Sequence, residues 1–484
     1  MCPGGWLTDE VLGEGREHCF LAPLKETIMK KQTEPYVSTT NACKLCKPLG
    51  ACLAFRGIEG AVPFLHGSQG CATYMRRYVI SHFREPMDIA SSSLGEKHAV
   101  YGGGPNLKQG LKNVMCKYGA DLIGVASTCL TETIGDDVSM LVREFRQEAG
   151  EGNGGPAIPE LVTVSTPSYS GTHMEGFHAA VKAVVEQVAK GGEFTEALNL
   201  LPGFVSPADL RYLKEIMDDF GLKGIILPDI SESLDGPAQL DYEKIPAGGT
   251  HIADVVAMGR SRATIEFGRT LYFEDTAGRA LTKSFNVPLY SLGMPIGLRE
   301  TDRFFEVLEE LAGHPAPSSH AKERGRLVDA FVDGHKYIFG KKAVVYGEED
   351  LVVGLTALLA EIGVRPVLCA TGGASGHFQE AIATVTSGLL SEPPVVREAT
   401  DFYDIAEEVE GLAPDLLVGH SKGYRLARKL GVPLIRVGFP IHDRFGGQRI
   451  LHLGYRGAQS LLDRIVNAVL EKKQQDSPVG YGYL

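Results

Sequence analysis

Residues 121–150 read DLIGVASTCLTETIGDDVSMLVREFRQEAG. DLIGVAST (121–128) is a short apolar run, the pattern of a strand buried on both faces of a parallel sheet. The run stops at Cys129, LTETIGDDV turns the chain, and DVSMLVREFRQEAG (137–150) carries helical periodicity. Strand, turn and helix in that order form part of an α/β unit. In open parallel sheets, ligands gather at the carboxyl ends of the strands. Cys129 therefore stands where chemistry is expected.

The same text recurs along the chain. ELVTVSTPSYSG (160–171) reads as a strand running into a Ser/Thr/Pro turn, which puts Ser168 on the same rim as Cys129. GFHAAVKAVVEQVAKGG (176–192) is an amphipathic helix closed by glycines. The pattern restarts at LNLLPGF (198–204), with a helix over 207–221, a strand over 222–229, a further helix over 250–268 and a strand and turn over 287–298. It restarts again at KKAVVYGEED (341–350), followed by the helix LVVGLTALLAEIG (351–363), the strand VRPVLCATG (364–372) and the strand–turn pairs at 414–423 and 432–446. The expected organisation is an N-terminal arm over 1–40 and three α/β units over 41–197, 198–340 and 341–484, each a Rossmann-like parallel sheet covered by helices. The last unit includes a C-terminal tail.

Composition narrows the function classes. The 484 residues are 44% hydrophobic and 22% charged, which suits a globular chain with a substantial core. A net charge of −12 lacks the basic footprint that general nucleic-acid binding needs. No apolar run approaches the roughly 18 residues of a membrane-spanning helix. The opening MCPGGWLTDEVLGEGREHC has no basic segment followed by an apolar block, so no signal peptide is expected. The nine cysteines are odd in number and eight fall before residue 130, which argues for one local site in a reducing cytoplasm rather than a disulfide framework.

Within CKPLGACLAFRGIEGAVPFLHGSQGC (46–71), Cys46 and Cys71 precede helical text and reach the same rim as Cys129. HGSQGC offers a backbone that approaches a bulky object closely, with Gly67 and Gly70 expected to tolerate unusual φ/ψ. Three cysteines from three separate turns differ from the paired CxxC spacing of a zinc site; the only CxxC is Cys43–Cys46. Cys52, Cys116 and Cys369 are expected in the core, since free cysteine is among the most buried residue types. His66 is expected to be a hydrogen-bonded structural histidine. Spacing alone leaves iron–sulfur ligation and simple burial both open.

The wording goes further than the spacing. CKPLGACLAFRGIEG, HGSQGCATYMRRYVISHFREP, STCLTETIGDD and TPSYSGTH together resemble the β-type half of nitrogenase component 1. AGGT (247–250), MPIGL (294–298), VVYGEED (344–350), DLLVGHSKG (415–423), RVGFPIHDR (436–444) and LGYRGA (453–458) follow in the family's order. The resemblance implies three α/β domains, an α-type partner in an (αβ)2 heterotetramer and an ATP-driven iron–sulfur reductase that docks transiently. It implies that Cys46, Cys71 and Cys129 hold half of a P-cluster-type 8Fe–7S relay at the subunit interface, with a 4Fe–4S cluster as the alternative. Ser168 matches the serine that ligates the oxidised cluster. AVYGGGPNL (99–107) resembles the docking patch, with Tyr101 where the family usually has phenylalanine, and FREP (83–86) resembles an interface element beside the cluster. The substrate-reducing metallocluster is implied to lie in the α-type partner, so no catalytic residue is assigned here.

Within the superfamily, CKLCKPLGA, RRYVISHFREP and SSSLGEKHAVYG depart from the molybdenum-nitrogenase wording. These departures weigh against a true molybdenum-nitrogenase β subunit, and retention of Cys46, Cys71 and Cys129 weighs against the assembly scaffold. That leaves methylthio-alkane reductase, which cleaves the C–S bond of volatile organic sulfur compounds, first among the expected activities. The β-type chain of the cofactor-assembly scaffold and a true nitrogenase β subunit are the alternatives.

Overall fold

Among the described residues the strands form three parallel sheets, and their ends position everything that follows. A computed structural model describes residues 42–150, 158–241, 243–271 and 274–480. The arm expected over 1–40, with Cys2 and Cys19, lies outside the described residues. The first sheet holds β1 (Ala61–His66), β2 (Ala90–Ser91), β3 (Leu122–Ser127) and β4 (Glu160–Val164), in the order β2-β1-β3-β4. The second holds β5 (Thr195–Leu201), β6 (Gly224–Ile226), β7 (Ser261–Phe267) and β8 (Leu289–Leu292), in the order β6-β5-β7-β8. The third holds β9 (Lys342–Gly347), β10 (Arg365–Thr371), β11 (Val395–Arg397), β12 (Leu416–Gly419) and β13 (Leu434–Arg436), in the order β11-β10-β9-β12-β13. Every pairing within these sheets is parallel.

β1 and β3 are buried along their whole length, so their sequences are near-continuous apolar runs rather than alternations. Val62, Phe64, Ile123 and Val125 pack on one face of the first sheet with Phe145. Ala61, Leu65, Leu122 and Ala126 enter a larger core shared with Leu198 of β5 and Val345 of β9.

Among the described residues, the helices of this first unit are α1 (Lys47–Arg56), α2 (Gln69–Phe83), α3 (Glu96–Tyr101), α4 (Gly104–Tyr118), α5 (Cys129–Ile134), α6 (Val138–Gly150) and α7 (His173–Val188). α1 is buried from Pro48 to Arg56 and is accordingly apolar on nearly every side. Among the described residues, no helix is long and apolar enough to cross a membrane.

The structure corrects several expectations. The helix expected over 250–268 is helical only at Ile252–Ala257, with a 3-10 turn at Met258–Arg260; SRATIEF then forms β7, a central strand of the second sheet. Its β-branched Thr264 and Ile265 and aromatic Phe267 suit a buried pleat, and tertiary pairing outweighs the helical periodicity of the preceding text. The strand read over 198–204 is β5, which starts earlier, at the polar residues Thr195 and Glu196. LTETI is not a plain turn but the helix α5. Cys116 was expected in the core and is exposed. The buried face of α4 runs through Leu107, Leu111 and Val114, and position 116 falls outside that stripe. Cys52 and Cys369 are buried as expected.

Candidate functional site

Cys71, Cys129 and Ser168 follow the carboxyl ends of β1, β3 and β4, three adjacent strands. Cys71 lies in the first turn of α2, behind an N-cap in which Ser68 accepts from Gly70 N at 3.3 Å. Cys129 is the first residue of α5. Ser168 opens a 3-10 turn, and its backbone N–H donates to Cys129 Sγ at 3.2 Å, so this pair is joined directly. Cys46 reaches the rim from the other direction, as the N-cap of α1.

A short hydrogen-bond lattice locks these turns together. His66 O accepts from the hydroxyls of Thr128 and Thr131, each at 3.0 Å, which ties the end of β1 to the Cys129 turn. The approach is close enough that a Cβ on Gly67 would overlap the Thr128 side chain. Gly67 and Gly70 both lie outside the left-handed region, which corrects the expectation of unusual dihedrals. Gly67 serves by having no side chain at a tight contact, and a Cβ on Gly70 would meet only an ordinary contact with Ser68. His66 is buried and hydrogen-bonded on both ring nitrogens, to Ser92 Oγ at 2.9 Å and Asp136 Oδ2 at 3.1 Å. Burial lowers its pKa, opposed by Asp136. It is a structural histidine, as expected.

Asp136 also accepts from Gly103 N at 2.9 Å, and Leu94 N donates to Gly67 O at 2.9 Å. Both chain ends flanking α3 are therefore anchored to the HGSQGC turn. α3 presents Val100 and Tyr101 to solvent, Tyr101 at 85% exposure, so Tyr101 is not the half-buried packing aromatic that such a position commonly holds.

Cys46 is placed by helix packing. α1 and α7 cross with their backbones nearly touching: a Cβ on Gly50 would overlap His173 O, and one on Gly176 would overlap Lys47 O. His173 at the start of α7 holds the residue before Cys46. Its N–H donates to Leu45 O at 3.0 Å, its Nδ1 accepts from Leu45 N at 3.4 Å, and its Nε2 faces Glu348 at 3.1 Å. Lys47 Nζ reaches Ser170 Oγ at 3.1 Å, beside Ser168.

The three thiols share one neighbourhood. Burial raises the Cys71 pKa, and negative charge at Cys46 and Cys129 raises it further. Cys46 is exposed, while Cys71 and Cys129 are half-buried. Among the described residues, no three His, Cys, Asp or Glu side chains converge as a one-ion site requires. Tyr74, one turn beyond Cys71, and Tyr169, next to Ser168, are exposed at 66% and 68% on the same rim. Exposed aromatics of this kind are enriched at protein interfaces.

Sequence reading missed the anchors of Cys46. His173 and Glu348 are 175 positions apart, and the only signal available was the polar pair that starts α7 and follows β9.

Comparison with known proteins accords with this geometry. A family model described as nitrogenase component 1 type oxidoreductase matches residues 46–470. The nitrogenase molybdenum-iron protein beta chain of Clostridium pasteurianum is 36% identical over 440 residues, covering 90% of this chain and 94% of that one. The beta chain of the same name from Methanothermobacter thermautotrophicus is 36% identical over 438 residues, covering 89% and 94%. The solved structure "Nitrogenase Cp1 at pH 6.5" superposes with a TM-score of 0.89 at 35% identity, covering 93% of this chain and 97% of that chain. The α/β fold of parallel sheets and the family agree, and the chain is a β-type member of the nitrogenase component 1 family of oxidoreductases.

Proposed function

We propose that this chain is the electron-transfer half of a component 1 oxidoreductase, in which Cys46, Cys71 and Cys129, with Ser168, hold half of an interfacial P-cluster-type iron–sulfur cluster. The observation that carries the reading is the gathering of Cys46, Cys71 and Cys129 on one rim, with Cys71 sensing the other two and Cys46 exposed, beside exposed Tyr74 and Tyr169. The donor set fits such a cluster: soft thiolates suit iron–sulfur ligation, and the backbone N–H already directed at Cys129 Sγ is of the kind that tunes a cluster's potential. When bound, the cluster supplies one-electron storage at the interface.

The chain's own residues do the rest. The Thr128–Thr131–His66 lattice fixes the Cys71 and Cys129 turns relative to each other. The α1–α7 crossing fixes Cys46. The open face at Cys46 and the two tyrosines receives an α-type partner, and two such pairs form the (αβ)2 assembly. Tyr101 on α3 is the docking point for an ATP-driven iron–sulfur reductase, and α3 is tied to the Cys71 turn directly through Leu94 N and Gly67 O and indirectly through Asp136, which joins Gly103 N to His66.

The substrate is set in the partner. The names of the relatives support a nitrogenase-type reaction. The departures at 43–51, 76–86 and 91–102 favour a second reading, reductive C–S cleavage as in methylthio-alkane reductase; the comparisons lend that reading no support of their own. The test is anaerobic purification of the native complex, quantification of iron, molybdenum and vanadium, and turnover with its reductase and ATP on dinitrogen, acetylene and dimethyl sulfide. Ammonia and ethylene would establish the nitrogenase reading, and methane with a released thiol the second. A complex without turnover that activates an apo-nitrogenase by handing over a cluster would instead mark an assembly scaffold.

A further inference from the structure

The loop that aims Cys46 is held from the third sheet. Lys422 follows β12, and its Nζ crosses to the loop to donate to Ala42 O at 2.8 Å and Lys44 O at 3.1 Å. Ala42 also bridges to Asp401, and Cys43 is buried in the third sheet's core with Tyr346 and Phe402. Cys46 therefore sits at the free end of a segment whose preceding residues are fastened to a different sheet from the one carrying Cys71 and Cys129.

We propose that Lys422 is a positioning residue for the interfacial cluster, holding the Ala42–Lys44 backbone and keeping a positive charge beside the Cys46 ligand so that the cluster's reduced state is favoured. The inference rests on the cluster reading above. Both hydrogen-bond acceptors of the ammonium are neutral carbonyls, so neither cancels its charge. The negative groups it senses are Cys43, Cys46 and Glu348, set against the cost of its burial. Glu348 is already engaged by His173. The Cys43 thiol is pushed by burial up to about 12 and so stays protonated at neutral pH. The Glu348 carboxylate and Cys46, ligated as thiolate, are then the anions with which the ammonium interacts, and of these Cys46 belongs to the cluster. A cation near a cluster makes reduction easier, since local charge and hydrogen bonding tune the potential. Its removal shifts the midpoint to more negative values.

The test is an EPR-monitored redox titration of the purified complex, without reductase or ATP, for wild type, Lys422→Met and Lys422→Arg, with iron counted in each. The expected result is full iron in all three, a more negative midpoint in Lys422→Met and a wild-type midpoint in Lys422→Arg. A wild-type midpoint in Lys422→Met at full iron would overturn the inference. If the methionine variant fails to assemble, Lys422→Gln takes its place, because it keeps a donor toward the loop while losing the charge. A wild-type midpoint there at full iron overturns the inference equally. Wild-type protein with no iron–sulfur signal would sink the cluster reading itself, a result distinct from an unmoved midpoint.

Discussion

At the rim of the first sheet Cys46, Cys71 and Cys129 are exposed or half-buried, whereas Cys43, Cys52 and Cys369, packed within the fold, are buried. Cys43 and Cys46 make the contrast sharpest, because one short loop carries both. Cys43 turns into the third sheet, where its Sγ lies 3.8 Å from His420 Nε2 and burial keeps the thiol protonated. Cys46 turns out at the N-cap of α1, where no side chain caps it. The difference lies in what the backbone does at each strand end. At the first rim, small polar side chains and glycine let turns approach each other and leave sulfur at the surface. At the third, Glu348, His420 and Lys422 are drawn inward and serve as supports.

The strongest challenge to this contrast is to exchange the roles. Cys71→Ala should abolish reductase-driven turnover and lose or rearrange interfacial iron while the fold persists, as iron counts and circular dichroism of the complex would reveal. Cys369→Ala should leave iron and rate unchanged, since that thiol is packed in the core and hydrogen-bonded to Thr356 Oγ1 at 3.3 Å, away from the rim. Retained iron in the first variant, or lost iron in the second, would erase the distinction between the two cysteine sets.

Next in size are the glycines of the α1–α7 crossing. Gly176→Ala would drive a Cβ into Lys47 O, a backbone atom that cannot step aside. Overpacking of this kind costs about 1–3 kcal/mol. A lowered melting temperature together with partial loss of iron, because Cys46 moves with α1, is the expected outcome. Iron retained in full despite the destabilisation would mean that Cys46 is not placed by the crossing.

The buried histidines of the inward-facing region predict an acid limb. Burial lowers the pKa of His82 to about 3 and that of His420 to about 4, from an ordinary 6.5. A proton therefore binds the unfolded chain first, so stability from these groups is complete above pH 6.5 and is lost as pH falls toward 4 and then 3. Each group contributes up to about 1.4 kcal/mol per pH unit over its own window. Urea unfolding of the complex at pH 7 and pH 5 measures it, and His82→Gln should flatten the dependence. A stability that rises between pH 7 and pH 5 would contradict the assignment.

The smallest structural effect is expected at Tyr101. With its side chain in solvent, Tyr101→Ala should change stability by no more than about 0.5 kcal/mol and leave iron intact, while raising the reductase concentration needed for half-maximal turnover. An unchanged reductase dependence would remove Tyr101 from the docking surface.

Much of this was legible in the residues. β3, β9 and β10 announce themselves because strands buried within a sheet are written as apolar runs, and the edge strand β4 by the Ser/Thr/Pro turn that ends it; β1 carries no such reading. The rim positions of Cys129 and Ser168 follow from where those strands stop, and that of Cys71 from the helical text it precedes. What remained hidden is non-local. Nothing near CKLC says which sulfur turns inward, since that depends on Lys422, His420 and Gly372, more than 300 positions away. Cys116 was misplaced by a residue-type preference that the apolar stripe of α4 overrides. β7 was hidden behind a helical start, because its identity as a strand comes from pairing with β5 and β8.

The most direct measurement is anomalous diffraction at the iron edge from crystals of the anaerobically purified complex. The account predicts iron peaks at bonding distance from the sulfurs of Cys46, Cys71 and Cys129, continuing across the interface into the partner subunit. Sulfurs without iron neighbours, or a lone zinc on the Cys43–Cys46 pair, would contradict it.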